Sequence, residues 1–235
     1  MTFQSDINRR VAENAAYVRE RIAAAAQRCG RAENDVALVA VSKYASCDDG
    51  FIEALLATGC NELGENRTQV LLEKNERFKN VNWHFIGSLQ RNKVRKVLSY
   101  VTLFHSIDSL SLAEAFDRIS EEENIVSVRA LLEVNISGDK TKHGFTPQEL
   151  EANIEHFNKF PRLQIVGLMC MSGLESNEKE TRQEFRNTAK LAKQITKNAP
   201  ANVTLKELSM GMSDDYEIAI EEGATIVRVG ARLMQ

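Results

Sequence analysis

The stretch Val36-Ala37-Leu38-Val39-Ala40-Val41-Ser42-Lys43 is apolar without a break for six residues, then closes on a serine and a lysine. A strand wetted on one face alternates polar and apolar side chains. An unbroken run signals a strand buried on both faces, the arrangement of a parallel sheet covered by helices. Similar β-branched or apolar runs recur at 81–86, 101–107, 126–136, 163–171, 203–208 and 225–229, with a weaker one at 60–63. Between them lie segments of helical periodicity at 48–58, 67–78, 90–99, 111–122, 147–157, 179–197 and 214–222. Strands alternating with helices read as βαβ units. About eight strands in a chain of 235 residues fit a closed (β/α)8 TIM-type barrel, which typically takes roughly 250 residues, better than an open doubly wound sheet.

Ahead of the first strand, residues 5–28 set Val11, Ala15, Val18, Ile22 and Ala25 on one stripe of a charged helix that stops at Cys29-Gly30. The sequence ends a few residues after the eighth run, so this extra N-terminal helix is expected to fill the place of a short or missing last helix. With three prolines and no linker, residues 1–235 read as a single domain.

Composition narrows the function. Lys plus Arg total 30 against 33 Asp plus Glu, a net charge of −3, which gives no footprint for nucleic acid or an anionic membrane. No apolar run approaches the roughly 20 residues of a bilayer span, and the start Met1-Thr2-Phe3-Gln4 is no secretory leader. Cys29, Cys47, Cys60 and Cys170, and the four histidines, lack metal-ligand spacing. A soluble, cytoplasmic protein with reduced thiols is expected.

The active face of such a barrel lies at the C-terminal ends of its strands. Several runs end there in polar or glycine residues, which taken singly are also what a turn requires. Lys43 stands at the end of the first strand, where partial burial disfavours an ammonium relative to the free amine that condenses with an aldehyde. From spacing alone it reads more readily as a lysine tipping into solvent from the rim. Ser209-Met210-Gly211-Met212-Ser213-Asp214-Asp215 follows strand seven, where barrels often bind phosphate, and Gly230-Ala231 follows strand eight. In this loop Gly211 allows close approach of backbone amides, and Ser213 is expected to cap the next helix, with Asp214 and Asp215 in its first turn. Arg228, two residues before Gly230, shares its face. If that face is the interior, the guanidinium needs either a ligand's heteroaromatic nitrogen or a neighbouring carboxylate.

Taken together, Val39-Ala40-Val41-Ser42-Lys43, Gly64-Glu65-Asn66, Trp83-His84-Phe85-Ile86-Gly87, Leu89-Gln90 with Asn92-Lys93, Asn135-Ile136-Ser137, Gly167-Leu168-Met169, Leu208 to Asp214 and Val227-Arg228-Val229-Gly230 resemble the pyridoxal phosphate homeostasis (YggS/PROSC) family. The resemblance spans nearly the whole chain. It implies the fold of the alanine racemase N-terminal barrel, a fold-type III pyridoxal phosphate (PLP) protein. It further implies PLP held as a Schiff base on Lys43, its phosphate at Ser209, Met210, Gly211, Ser213, Gly230 and Ala231, and its ring nitrogen at Arg228. Asn66, His84 and Met169 are implied to line the pocket. The chain departs from the family's Lys-Thr-Lys-Pro at Lys43-Tyr44-Ala45-Ser46, from its proline at Ser88, from its threonine at Ala231, and from its final Ile-Phe-Gly-x-Arg.

The function implied is a carrier that buffers PLP and supplies it to PLP-dependent apo-enzymes in vitamin B6 homeostasis, compatible with a monomer. The alternative is a single-domain amino-acid racemase. Racemisation needs a base on each face of the substrate carbon, and alanine racemases take the second from a further domain for which 235 residues leave no room. Tyr44 is expected to point away from Lys43 by strand alternation. A guanidinium at the ring nitrogen also disfavours ring protonation and weakens the electron sink. The carrier reading is therefore preferred, with no catalytic residue assigned.

Overall fold

The computed structural model describes residues 3–139 and 141–235 and is a closed barrel of eight parallel strands in sequence order. Its elements run α1 (Phe3–Arg28), β1 (Ala37–Val41), α2 (Phe51–Ala57), β2 (Glu62–Glu65), α3 (Thr68–Arg77), β3 (Asn82–Phe85), α4 (Val94–Val97), β4 (Val101–Ile107), α5 (Leu110–Glu122), β5 (Val128–Glu133), α6 (Pro147–Asn153), β6 (Leu163–Met169), α7 (Glu178–Ile195), β7 (Val203–Ser209), α8 (Tyr216–Glu221), β8 (Ile226–Val229) and α9 (Ala231–Met234). β1 pairs with both β2 and β8, which closes the ring. The expected TIM-type barrel is the fold observed.

Two apolar layers hold it. The larger lies between strands and helices. The smaller fills the barrel interior with Val39, Leu103, Leu131, Met169 and Ile226. Side chains alternate along a strand. The interior positions Val39, Leu131 and Ile226 therefore carry inward parity on to 41, 133 and 228. Polar residues at the upper ends of these strands are thus delivered into one mouth.

The stripe predicted on α1 is the buried one: Val11, Ala15, Val18 and Ala25 are fully buried and Ile22 nearly so. It packs against α2, α8 and the last turn α9, filling the gap left by the short C-terminal helix. Arg21 fixes the helix to α8 by donating from Nε and Nη2 to the Glu217 carboxylate, each at 2.8 Å.

Several boundaries differ from expectation. The weak second run moves from 60–63 to Glu62–Glu65, because Glu65, charged and fully buried, is neutralised by Lys74 of α3 at 2.6 Å. The segment 90–99 is only a 3-10 turn at Arg91–Lys93 and the four-residue α4. The helix expected from 214 begins at Tyr216, since Asp215 turns back to accept from the Met212 amide at 2.6 Å. No helix among the described residues is long and apolar enough to cross a membrane.

The buried pair does more than satisfy itself. Lys74 Nζ also donates to the Ser42 carbonyl at 2.6 Å, and the other Glu65 oxygen accepts from the Asn66 and Arg67 amides at 2.7 and 3.3 Å. The chain just before Lys43 is thereby tied to the chain entering Asn66. Removing one partner of a buried pair leaves an uncompensated charge, so Lys74→Met is expected to lower the unfolding free energy by about 3–5 kcal/mol in urea titration. A loss under about 1 kcal/mol would show that the pair does not hold these loops.

Candidate functional site

The upper mouth is built from the strand ends and the residues that directly follow them. Lys43 follows β1, Asn66 follows β2, Met169 closes β6, Ser209 closes β7, and Arg228 and Gly230 sit on and just after β8. Lys43 is half-buried in the turn after β1. Because the strand ends at Val41, alternation no longer governs Tyr44. Instead of pointing away, the exposed Tyr44 ring lies beneath Lys43 Nζ, 4.9 Å from its centroid.

Arg228 is buried, and burial pulls its guanidinium down from its ordinary value. Among the described residues no carboxylate pairs with it. Its Nη1 donates to the Ser209 carbonyl at 2.7 Å and to Ser209 Oγ at 2.6 Å, and its Nη2 donates to the Cys170 carbonyl at 3.0 Å. Of the two partners open from sequence, the neighbouring carboxylate is thus ruled out among the described residues. Nε takes no part in these bonds.

Ser209 therefore supports Arg228: its hydroxyl is shared between the guanidinium and His105 Nδ1, which is 2.9 Å away. His84 lies deeper, between His105 Nε2 at 2.8 Å and Glu62 Oε2 at 2.7 Å. Met169 belongs to the interior apolar layer beneath the mouth. Met210 is off the inward parity; its side chain packs in the outer layer and its amide is spent on the Ile226 carbonyl at 3.1 Å.

The loops after β7 and β8 meet at one contact. Ser213 Oγ accepts from the Gly230 amide at 3.3 Å. Ser213 does not cap α8, contrary to expectation: Asp215 occupies the cap position, and its carboxylate bridges the Met212 amide and Ser172 Oγ. Asp214 is exposed and faces Arg232 at 3.6 Å. Gly211 is required where it stands, because its φ of +91° is left-handed and a Cβ there would fall 2.6 Å from that of Ala219. Ala231, exposed, opens α9.

Asn66 supplies the orphan. Its Oδ1 is buried with no hydrogen-bond partner among the described residues. Gly87 is what lets the Asn66 loop come so close, since a Cβ there would sit 2.4 Å from the Asn66 carbonyl. A cavity of about 880 Å³ is lined by residues 89–92, Asp108, Ser109 and Arg118; it takes in Leu89, Gln90 and Asn92 of the quoted motifs but none of the residues expected to hold the cofactor.

A family model described as "Alanine racemase, N-terminal domain" matches residues 14–234. The pyridoxal phosphate homeostasis protein of Aquifex aeolicus is 40% identical over 223 residues, covering 94% of this chain and 96% of that one. This chain belongs to the pyridoxal phosphate homeostasis protein family. Its barrel is similar to that of PipY from Synechococcus elongatus, solved with PLP bound, at 33% identity and a TM-score of 0.83, covering 96% of this chain and all of the other. Alanine racemase from Corynebacterium glutamicum shares the fold alone: 14% identity and a TM-score of 0.69 over 95% of this chain and 60% of the racemase.

Within this family member, sequence reasoning missed four inward or supporting groups: Glu62, His105, Glu133 and the Glu65–Lys74 pair. The inward parity used for Arg228 and Gly230, continued along β2, β4 and β5, would have found the first three. Glu133 ends β5 in the mouth, and burial, aided by Asp108, pushes its carboxyl up to about 7, against the opposing pull of His143 and Arg228. The folded state then binds a proton that the unfolded state has released, so stability falls as pH rises from about 4.5 to about 7. Glu133→Gln is expected to flatten that slope and to add roughly 2–3 kcal/mol at slightly alkaline pH. Melting temperatures across the range test this; parallel profiles for the two proteins would contradict it.

Proposed function

We propose that this protein holds pyridoxal phosphate reversibly on Lys43, as a Schiff base, and supplies it to PLP-dependent apo-enzymes. The observation that carries the reading is the convergence, at one barrel mouth, of a half-buried amine, a buried guanidinium with no carboxylate partner among the described residues, and a Ser213 hydroxyl held by the Gly230 amide. The names of the relatives support it, as does the PLP bound in PipY.

The donor set fits the cofactor. Because Ser213 Oγ already accepts from the Gly230 amide, its own hydrogen is free to be given to a phosphate oxygen. With α8 only six residues long, these local donors, rather than a helix end, are the basis of the phosphate reading. Ala231 offers its backbone amide alone, where the family's threonine would add a hydroxyl. Arg228 meets the ring nitrogen from Nε or its remaining hydrogens, and Asn66 Oδ1 is an acceptor awaiting a donor. PLP supplies an aldehyde: the Lys43 amine adds to it, and water leaves as the carbon–nitrogen double bond forms. The Ser42 carbonyl held by Lys74 steadies the backbone beside that amine.

Holding is favoured over catalysis by the same arginine. A fixed cation at the ring nitrogen keeps that nitrogen unprotonated and makes a poor electron sink. We place the protein in the cytoplasm, as a monomer.

Purified protein incubated with PLP is expected to turn yellow and to show an imine absorption band that Lys43→Ala abolishes; a colourless wild type would sink the reading. Turnover of an amino acid at ordinary enzymatic rates, lost in Lys43→Ala, would overturn the carrier function. Ser213→Ala is expected to weaken PLP retention roughly three- to ten-fold while leaving the apo-protein's melting temperature nearly unchanged. Equal affinities would remove Ser213 from the phosphate site.

A further inference from the structure

Arg228 can only donate hydrogen bonds, and a carboxylate can only accept them. Between Arg228 at the mouth and Glu62 at the opposite end of the barrel run three groups able to do both. Nη1 of Arg228 donates to Ser209 Oγ at 2.6 Å, so the serine's own hydrogen goes to His105 Nδ1, 2.9 Å away. His105 then carries its hydrogen on Nε2 and donates to His84 Nδ1 at 2.8 Å. His84, likewise protonated on Nε2, donates to Glu62 Oε2 at 2.7 Å. One proton arrangement satisfies every link with both imidazoles neutral.

The competing arrangement makes His84 an imidazolium. That reverses the two links above it, and the Ser209 hydroxyl hydrogen is left without an acceptor among the described residues. It also adds a second cation inside the barrel near Arg228. Burial already holds His105 well below the usual imidazole range, with His84 and Arg228 acting in the same direction. The hydrogen bond from His84 holds Glu62 below the usual carboxylate range. The five members lie on inward parity from β2, β3, β4, β7 and β8.

We propose that Glu62, His84 and His105 are positioning residues for Arg228. They lock the Ser209 hydroxyl so that its lone pair faces Nη1, and the Glu62 charge polarises the row from below. A carboxylate at the bottom of the barrel thereby steadies the guanidinium that meets the cofactor at the top. This rests on the PLP reading of the mouth. Glu62 is the informative position, because its side chain is 37% exposed and tolerates replacement better than the buried imidazoles.

The test has two arms. Long-range proton–nitrogen NMR of the apo-protein near neutral pH is expected to show His84 and His105 as neutral rings protonated on Nε2. A charged ring, or a hydrogen on Nδ1 of either, would overturn the proposal without reference to any cofactor. In the second arm PLP affinity is compared for wild type, Glu62→Leu and Glu62→Gln, with apo melting temperatures as the control for folding. Glu62→Leu is expected to weaken PLP roughly five-fold, and Glu62→Gln, which keeps an acceptor without the charge, to recover part of that loss. A loaded wild type whose affinity Glu62→Leu leaves unchanged would reduce the row to packing and overturn the proposal, with the PLP reading intact. A wild type that takes up no PLP removes the cofactor reading, and this proposal with it.

Discussion

A guanidinium sealed inside a barrel with no carboxylate against it among the described residues has to be satisfied by neutral oxygens, and those oxygens must come from neighbouring strand ends. Arg228 meets that constraint with the carbonyls of Ser209 and Cys170 and the Ser209 hydroxyl. The cost of leaving any of these donors unpaired is high in so dry a place. β6, β7 and β8 are consequently pinned to one another at the mouth, around a cation with hydrogens to spare. The three strands present a fixed positive group, not a flexible one, to whatever occupies the barrel.

Next to it around the mouth, where β8 pairs with β1, a second buried charge does similar work from outside the sheet. Lys74 and Glu65 join the end of β1 to the loop after β2, and the Ser42 carbonyl and Asn66 amide are their anchors. Lys43 and Asn66 thus sit on a braced corner, while Ser213 and Gly230 close the mouth across β7 and β8. An amine, a buried acceptor, a guanidinium and a hydroxyl thus stand at the upper strand ends on supports internal to the barrel. Such preorganisation suits reversible holding, because little ordering remains to be done when the ligand enters.

The barrel itself was legible in the chain. Runs such as 36–42 are apolar on both faces, and only a helix-covered parallel sheet explains eight of them. What local pattern could not show was any charge made tolerable from a distance. Glu65 spoiled the second run because Lys74, nine residues on, is invisible to a window the length of a strand. Ser213 looked like a helix cap, yet Asp215 took that place through contacts with Met212 and with Ser172 of another loop. Ser209 was expected at the phosphate and His84 in the pocket lining; Ser209 bonds Arg228 and His105, and His84 bonds His105 and Glu62. His105, which links them, carries no motif of its own.

The central claim is that Lys43 is the covalent tether, and reduction with borohydride after loading with PLP, followed by peptide mapping, addresses it most directly. The account predicts a single stable pyridoxyl modification on the peptide bearing Lys43. Its appearance on another lysine, or on none, would contradict it.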